Sequence, residues 1–319
     1  MGTDAPQISV LLAVYEPRAD WLRELLLSLN EQTYPNVRLW VRDDCSSEAS
    51  FMETERLLKA CITAFPYVLR RNEANLGSNA TFERLTGEAD GAYFAYCDQD
   101  DVWRKDKLHV LLSVIEQNHN GLACSDVMPM DAEGKPLASS ITVLRPRHRF
   151  LEGEGLAAGL LYRNFVIGCT MLVRAELAKA AIPFAPGMVH DHYLAFYAAR
   201  EHGIGVAAVP LVQYRLHGGN QTGVLAHVQT WADYCREYVF PFCCRVEALQ
   251  QRFPADVPEE TVRWAKVRRA NAAGEKGAAR QLFAMRHVHG SVALFELLAP
   301  HLPGWLFGYA VGLIRKGKI

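Results

Sequence analysis

The segment Ile8 to Tyr15, ISVLLAVY, is an unbroken apolar run rich in β-branched residues. Such a run is expected of a strand buried on both faces of a parallel sheet. The next segment, DWLRELLLSLNEQ, repeats Leu22, Leu25, Leu26 and Leu29 at helical spacing behind Asp20, which the pattern marks as a cap. NVRLWVRDD then alternates Val37, Leu39 and Val41 before stopping at Asp43 and Asp44, and METERLLKACITAF leads as a second amphipathic helix to a strand at YVLRR. Strand, helix, strand, helix, strand predicts right-handed crossovers and a doubly wound, mostly parallel α/β sheet flanked by helices.

Further along, GAYFAY reads as a fourth strand, KDKLHVLLSVIEQ as a helix, and GLACSDVMPMDAEGKPL as a strand and hairpin turning at Asp131 to Lys135. NFVIGCTMLVRAEL reads as a strand entering a helix, HDHYLAFYAAREHG as a helix closed by Gly203, and GVAAVPLVQYRL as a last strand. From Gln229 the pattern is helical, so the expected division is an α/β domain over 1–228 and a helical C-terminal region over 229–319.

The 319 residues, half of them hydrophobic, suffice for one large core and an appendage. The polar start MGTDAPQ has no secretory pattern, and the eight cysteines form no C-x-x-C pair, which predicts reduced, mostly buried thiols in the cytoplasm. The net charge of -1 conceals an asymmetry: from Val262 onward ten Lys or Arg face Glu275 and Glu296, leaving -9 for the rest. Such a tail is either a solvated helix face or the meeting point with something anionic. Pro300, His301 and Pro303 interrupt the best candidate for a membrane span. Trp305, Phe307, Tyr309, Leu313 and Ile314 ahead of RKGKI instead suit peripheral contact with an anionic membrane surface, at the inner face of the cytoplasmic membrane. No nucleic-acid partner is expected.

In an open parallel sheet, ligands lie beyond the carboxyl ends of the strands. YEP, DDCSS and CDQDD follow the first, second and fourth strands and so meet at that rim. An acid at a strand end is ordinarily a turn or cap. Three clusters on one rim argue instead for a ligand. Asp98, Asp100 and Asp101 within four residues repel one another unless a cation or several donors compensate them. Magnesium or manganese, bound by one or two carboxylates and by substrate phosphates, fits that need. The chain has no G-x-x-x-x-G-K-[ST] and no G-x-G-x-x-G loop to hold phosphates otherwise.

ISVLLAVYEP, LLSLNEQTYPNVRLWVRDDCSS, NEANLGSNATFERL, YCDQDDVWRKDKL, NFVIGCTMLVRAEL, HDHYLAFYAA and YRLHGGNQTG, in that order over residues 7 to 225, resemble the motifs of family 2 glycosyltransferases with the GT-A fold. The bacterial rhamnosyltransferase-like branch is the most similar. The resemblance implies that Ala13 and Tyr15 line the nucleoside, that Asp44 accepts a bond from the base, and that Asn75 and Gly77 lie on the donor loop. Asp98, Gln99 and Asp100 form the D-x-D signature, Asp98 near ribose and metal, Gln99 beside the nucleotide sugar and Asp100 the direct metal ligand; Asp101 is an added acid, read as a cap. Thr81 stands where the pattern has Asn before Phe, which leaves Asn79 without a clear role. Asp191 is the implied catalytic base, with helix capping as the alternative and Asp126 as the substitute; His190 and His192 pack or orient neighbours. His217, beside Gly218 and Gly219, ligates metal, contacts the diphosphate or is structural. Arg215 compensates phosphate charge or forms an ion pair with a strand neighbour.

The function expected from this resemblance is inverting, metal-dependent transfer from dTDP-L-rhamnose, or another dTDP- or UDP-sugar, to a surface glycan such as O-antigen, lipid-linked at its base. Two rivals come from other classes. A sugar nucleotidyltransferase needs a Gly-rich, Arg-containing first loop, whereas AVYEPRAD has no glycine. A non-catalytic glycan-binding module needs neither base nor metal.

Overall fold

A computed structural model describes residues 5–218, 225 and 227–315. Gly219 and residues 316–319 of the basic tail lie outside the described residues. The chain divides into two units, one of Met1–Phe184 and Val189–Gly218, the other of Ala185–Met188 and Gly219–Ile319.

The first unit is built on β1 (Ile8–Val14), β2 (Val37–Asp43), β3 (Tyr67–Arg71), β4 (Tyr93–Cys97), β5 (Val102–Trp103), β6 (Leu122–Met130), β7 (Leu172–Arg174) and β8 (Ile204–Arg215), joined in the order β3-β2-β1-β4-β7-β6-β8-β5. The doubly buried run takes the interior place that its composition dictates, with parallel partners β2 and β4 on either side. β2 and β3, and β6 and β8, are also parallel. β7 is antiparallel to β4 and β6, and β5 to β8, so the sheet is mixed.

Helices α1 (Ala19–Asn30), α2 (Glu48–Cys61), α3 (Ser78–Glu88), α4 (Lys107–Asn118), α5 (Ile141–Leu144), α6 (Ala157–Leu160), α7 (Ala175–Ala180) and α8 (His190–Glu201) connect the strands. Leu22, Leu25, Leu26 and Leu29 of α1 are buried, as their spacing requires. The cap of α1 is Arg18, not Asp20; Asp20 sits in the first turn, where the helix dipole favours a carboxylate, and takes a two-pronged bond from Arg18 at 3.1 and 2.6 Å. The turn at Asp131 to Lys135 forms, but the returning strand reduces to one bridge between Met130 and Pro136. Pro136 has no N–H with which to continue a ladder. In NFVIGCTMLVRAEL the strand shrinks to β7, and Gly168–Thr170 is a single 3₁₀ turn.

The eight cysteines are free thiols, six of them buried. No helix of the described residues is long and apolar enough to cross a membrane.

The second unit comprises α9 (Trp231–Tyr234), α10 (Phe240–Arg252), α11 (Glu259–Ala272), α12 (Ala278–Ala284), α13 (Gly290–Leu298) and α14 (Gly304–Arg315). A π turn, Cys235–Val239, precedes Pro241, which cannot donate the bond that a regular α-helix would need there. At its centre Glu296, fully buried, accepts two 3.0 Å bonds from Arg268 Nε and a third at 3.0 Å from the Tyr234 hydroxyl, while Arg268 lies 4.6 Å over Phe242. Phe307 and Val311 of α14 point inward, so Phe307 leaves the set of surface aromatics that the sequence suggests, whereas Trp305 and Tyr309 are exposed.

Removing one partner of a buried ion pair strands the other charge. Glu296→Ala should lower the stability of this unit by about 3–5 kcal/mol, whereas Glu296→Leu combined with Arg268→Met should recover most of the loss. Urea unfolding of the three proteins decides it; equal midpoints for wild type and Glu296→Ala would show the pair to be inert.

Candidate functional site

The loops after β1, β2 and β4 meet at one rim, and hydrogen bonds stitch them together. Tyr15 N–H donates to Gln99 Oε1 at 2.8 Å and Gln99 Nε2 returns a bond to the Tyr15 carbonyl at 3.1 Å. The Gln99 amide therefore locks the first loop to the fourth rather than standing free for a ligand. Glu16, at a positive φ of 41°, receives Ser47 N–H and donates its own N–H to Ser46 Oγ at 2.9 Å, joining the first loop to the second.

Asp44 is buried and its carboxylate accepts from Asn72 Nδ2 at 2.8 Å, Leu76 N–H at 2.9 Å and Gly77 N–H at 2.8 Å. Three of the roughly four acceptor positions of a carboxylate are thus used to fix the 72–77 loop, and one remains. Asn75 and Gly77 are exposed on that loop, Gly77 at φ 81° with open space where a side chain would stand. Tyr15 is half exposed and Ala13 partly so. Thr81 is buried and accepts Asn72 Nδ2 at 3.1 Å; Asn79 Oδ1 is buried without a hydrogen bond.

The acidic cluster is compensated from inside the protein more than its sequence suggests. Lys107, at the start of α4, is fully buried; its ammonium donates to the Cys169 carbonyl at 2.6 Å and lies over the Trp103 ring. Burial pushes that ammonium down to about 7, against the opposing pull of Cys169, Cys97, Asp101 and Asp98. Asp101 does not cap the following segment. It is fully buried and accepts the Arg215 backbone N–H across to β8 at 3.0 Å; burial and its acidic neighbours hold it well above the carboxylate range. The Arg215 guanidinium, also buried, donates to the Asp100 carbonyl at 2.9 Å, the Ala132 carbonyl at 3.2 Å and Glu24 at 2.6 Å. It holds the D-Q-D-D loop in place, and its ionic partner is Glu24 of α1 rather than a strand neighbour.

Asp98 is only partly covered, yet burial first, and then the charges of Asp100 and Asp191, push it up to about 7. Asp100 Oδ2 lies 2.6 Å from His217 Nε2, whose ring packs 4.9 Å from Trp21. Asp98 and Asp100 offer hard oxygen donors of the kind magnesium or manganese takes, and His217 adds a softer imidazole nitrogen. The acidic and thiol groups that converge within 4.8 Å among the described residues are Asp98, Asp101 and Cys169. Burial keeps the Cys169 thiol protonated far above its ordinary value, which makes it a poor ligand for a hard cation. Asp98, Asp100 and His217, the set expected from the sequence, do not form such a group among the described residues.

Asp191 lies in the first turn of α8 and is buried. Its carboxylate accepts His192 N–H at 2.5 Å, Gly168 N–H at 3.0 Å and Asn164 Nδ2 at 3.2 Å. Burial outweighs those donors and raises its pKa to about 6, so the depression expected of a helix-terminal acid does not occur. His192 bonds the Leu160 carbonyl at 2.5 Å, and burial keeps His190 neutral, its pKa lowered to about 3, beside the rings of Phe82 and Tyr96. Asp126 is spent on Val127 N–H, Ile141 N–H and the Ser140 hydroxyl, which disfavours it as a substitute base.

The sequence reading missed Lys107, Asn164 and Gly168. Lys107 carried a signal: it falls on the same helical stripe as Leu108, Leu111 and Ile115, where a solvated Lys does not belong.

Residues 9–180 match the model of Glycosyl transferase family 2. TuaG of Bacillus subtilis (strain 168), named for teichuronic acid biosynthesis, is 26% identical over 182 residues, 56% of this chain and 66% of that protein, so the chain spans just under two thirds of its length. The dTDP-rhamnosyl transferase RfbG of Shigella flexneri is 25% identical over 232 residues, 68% of this chain and 74% of RfbG. Among solved structures, S. aureus TarS 1–349 in complex with UDP-GlcNAc superposes with a TM-score of 0.58 at 16% identity, over 98% of this chain and 92% of that one. The fold is the GT-A type.

The Arg215 arrangement is asymmetric, since Arg215 is buried and Glu24 half exposed. Arg215→Leu, which leaves the Asp100 and Ala132 carbonyls without their donor, should cost about 2 kcal/mol or more, and Glu24→Gln under about 1 kcal/mol. Comparing the two by urea unfolding tests whether Arg215 is structural; an unchanged Arg215→Leu midpoint would remove it from that role.

Proposed function

The chain belongs to glycosyl transferase family 2, and from that premise we propose that it moves a sugar, with inversion at the anomeric carbon, from a nucleoside diphosphate to an acceptor hydroxyl. One observation carries the reading. Asp98 and Asp191, ninety-three positions apart in the numbering, lie near enough for the charge of one to raise the pKa of the other, and both are brought close to neutrality. Perturbed carboxylates that converge at the rim of a GT-A sheet suit acid–base and leaving-group chemistry.

In this reading Asp191 takes the proton of the acceptor hydroxyl as that oxygen forms a bond to the anomeric carbon. The bond to the diphosphate oxygen breaks on the opposite face, and the electron pair leaves with the nucleoside diphosphate. Asp98 and Asp100, with His217, would hold a divalent cation, which when bound supplies the positive charge that stabilises the departing diphosphate. Ala13, Tyr15, Asn75, Gly77 and the last acceptor position of Asp44 face the nucleoside, and Gln99 fixes Tyr15 in that wall.

The donor we favour is dTDP-L-rhamnose or another dTDP- or UDP-sugar, and the acceptor a surface glycan, lipid-linked at its base. The name of RfbG supports the donor and that of TuaG the acceptor class. Leu294, Leu298, Trp305 and Tyr309 are exposed on α13 and α14 of a region rich in Lys and Arg, which supports peripheral contact with an anionic bilayer.

Asp100→Ala should abolish manganese-dependent stabilisation by UDP or dTDP in thermal melts. Asp191→Asn should keep that stabilisation and lose transfer by about 10²-fold or more. Wild-type transfer by both variants would sink the assignment. Because a protonated Asp191 cannot accept a proton, the transfer rate should fall as pH drops through about 6. The double variant Trp305→Ser and Tyr309→Ser should lose co-flotation with vesicles containing phosphatidylglycerol; equal flotation, or none for wild type, removes the membrane contact.

A further inference from the structure

The mechanism above gives no task to the segment Asn164 to Thr170. We propose that this segment positions the base: Asn164 and Gly168 hold the Asp191 carboxylate, and the turn that follows ties it to the acidic loop. The inference rests on the reading of Asp191 as the base.

Each carboxylate oxygen has one donor from this segment, Asn164 Nδ2 on Oδ1 at 3.2 Å and Gly168 N–H on Oδ2 at 3.0 Å. Asn164 is itself fixed, since its Oδ1 accepts Val166 N–H at 2.9 Å and its Nδ2 donates to the Val166 carbonyl at 2.8 Å. The side-chain amide therefore presents a preset donor rather than a mobile one. Gly168 is required for space. A Cβ there would stand 2.9 Å from His190 Nε2, 3.3 Å from His190 Cε1 and 3.5 Å from Asp191 Cβ. The nearest contact is the tip of the His190 side chain, which packs against Phe82 at 4.1 Å and Tyr96 at 5.4 Å between ring centres, so a side chain at 168 presses on the first residue of α8, next to Asp191.

The next residue faces the other half of the site. The Cys169 carbonyl accepts the buried Lys107 ammonium at 2.6 Å, and its thiol lies within 4.8 Å of ligand atoms of Asp98 and Asp101. Two adjacent residues of one turn thus contact the acceptor-side base and the donor-side acids. The contacts to the base and to the acidic loop thus leave from adjacent residues of one turn instead of from two independent loops.

Carboxyl ¹³C NMR of the full chain, with the Asp191 signal assigned by its loss in Asp191→Asn, reads the positioning without any sugar ligand. Asn164→Ala removes a donor to the charged carboxylate and should raise the Asp191 titration midpoint by roughly one pH unit; Asn164→Asp, which adds a like charge, should raise it further. Gly168→Ala should slow release of nucleoside diphosphate from the donor by about 10²-fold through misplacement of the base, with manganese-dependent stabilisation by UDP or dTDP retained. A titration unmoved in both Asn164 variants would overturn the proposal, as would wild-type turnover by Gly168→Ala. Should Gly168→Ala fail to fold, the Asn164 pair decides alone. If Asp191→Asn keeps full transfer while Asn164→Ala moves the midpoint, the base assignment fails and the positioning contact stands.

Discussion

The architecture of the site follows from one electrostatic constraint: three carboxylates, at 98, 100 and 101, must coexist at the end of a fully buried strand. Like charges in a poorly hydrated setting are tolerable only when positive groups or donors surround them. The fold meets this with Lys107 beneath the cluster, the Arg215 backbone N–H on Asp101 and His217 on Asp100. Two of these partners come from the end of β8 or just beyond it, over a hundred positions away, so the acidic loop and the sheet edge require each other.

This compensation is incomplete in an informative way. Asp98 is still pushed up to about 7. Protein groups secure the inner acid, Asp101, while the outer pair faces the rim where the strand ends open. The same logic explains why Arg215 is used internally: a guanidinium that fixes the loop backbone cannot at once be spent on phosphate.

The second carboxylate centre obeys the opposite balance. Asp191 has three donors yet remains raised to about 6, because burial outweighs them. That places its proton affinity where a general base is useful near neutral pH. Donors on both oxygens hold its orientation and offset the cost of burying the charge only in part.

The parallel β1, the amphipathic α1 and α2, and the meeting of three polar loops at one rim were legible from the residues, since strands buried on both faces and helical stripes leave period-specific patterns. The acids of the site were legible for the same reason: a charge cluster after an apolar run is conspicuous. What the sequence could not decide was the partnership of those acids. Gln99 stands inside a signature motif yet bonds Tyr15, and Arg215 looks available yet is buried. Burial and hydrogen-bond partners are set by strand order and by contacts across long stretches of chain, and no local periodicity encodes them. The amino acids alone thus determined which groups gather at the rim, whereas tertiary structure decided which are already satisfied by the protein and which are left to a ligand.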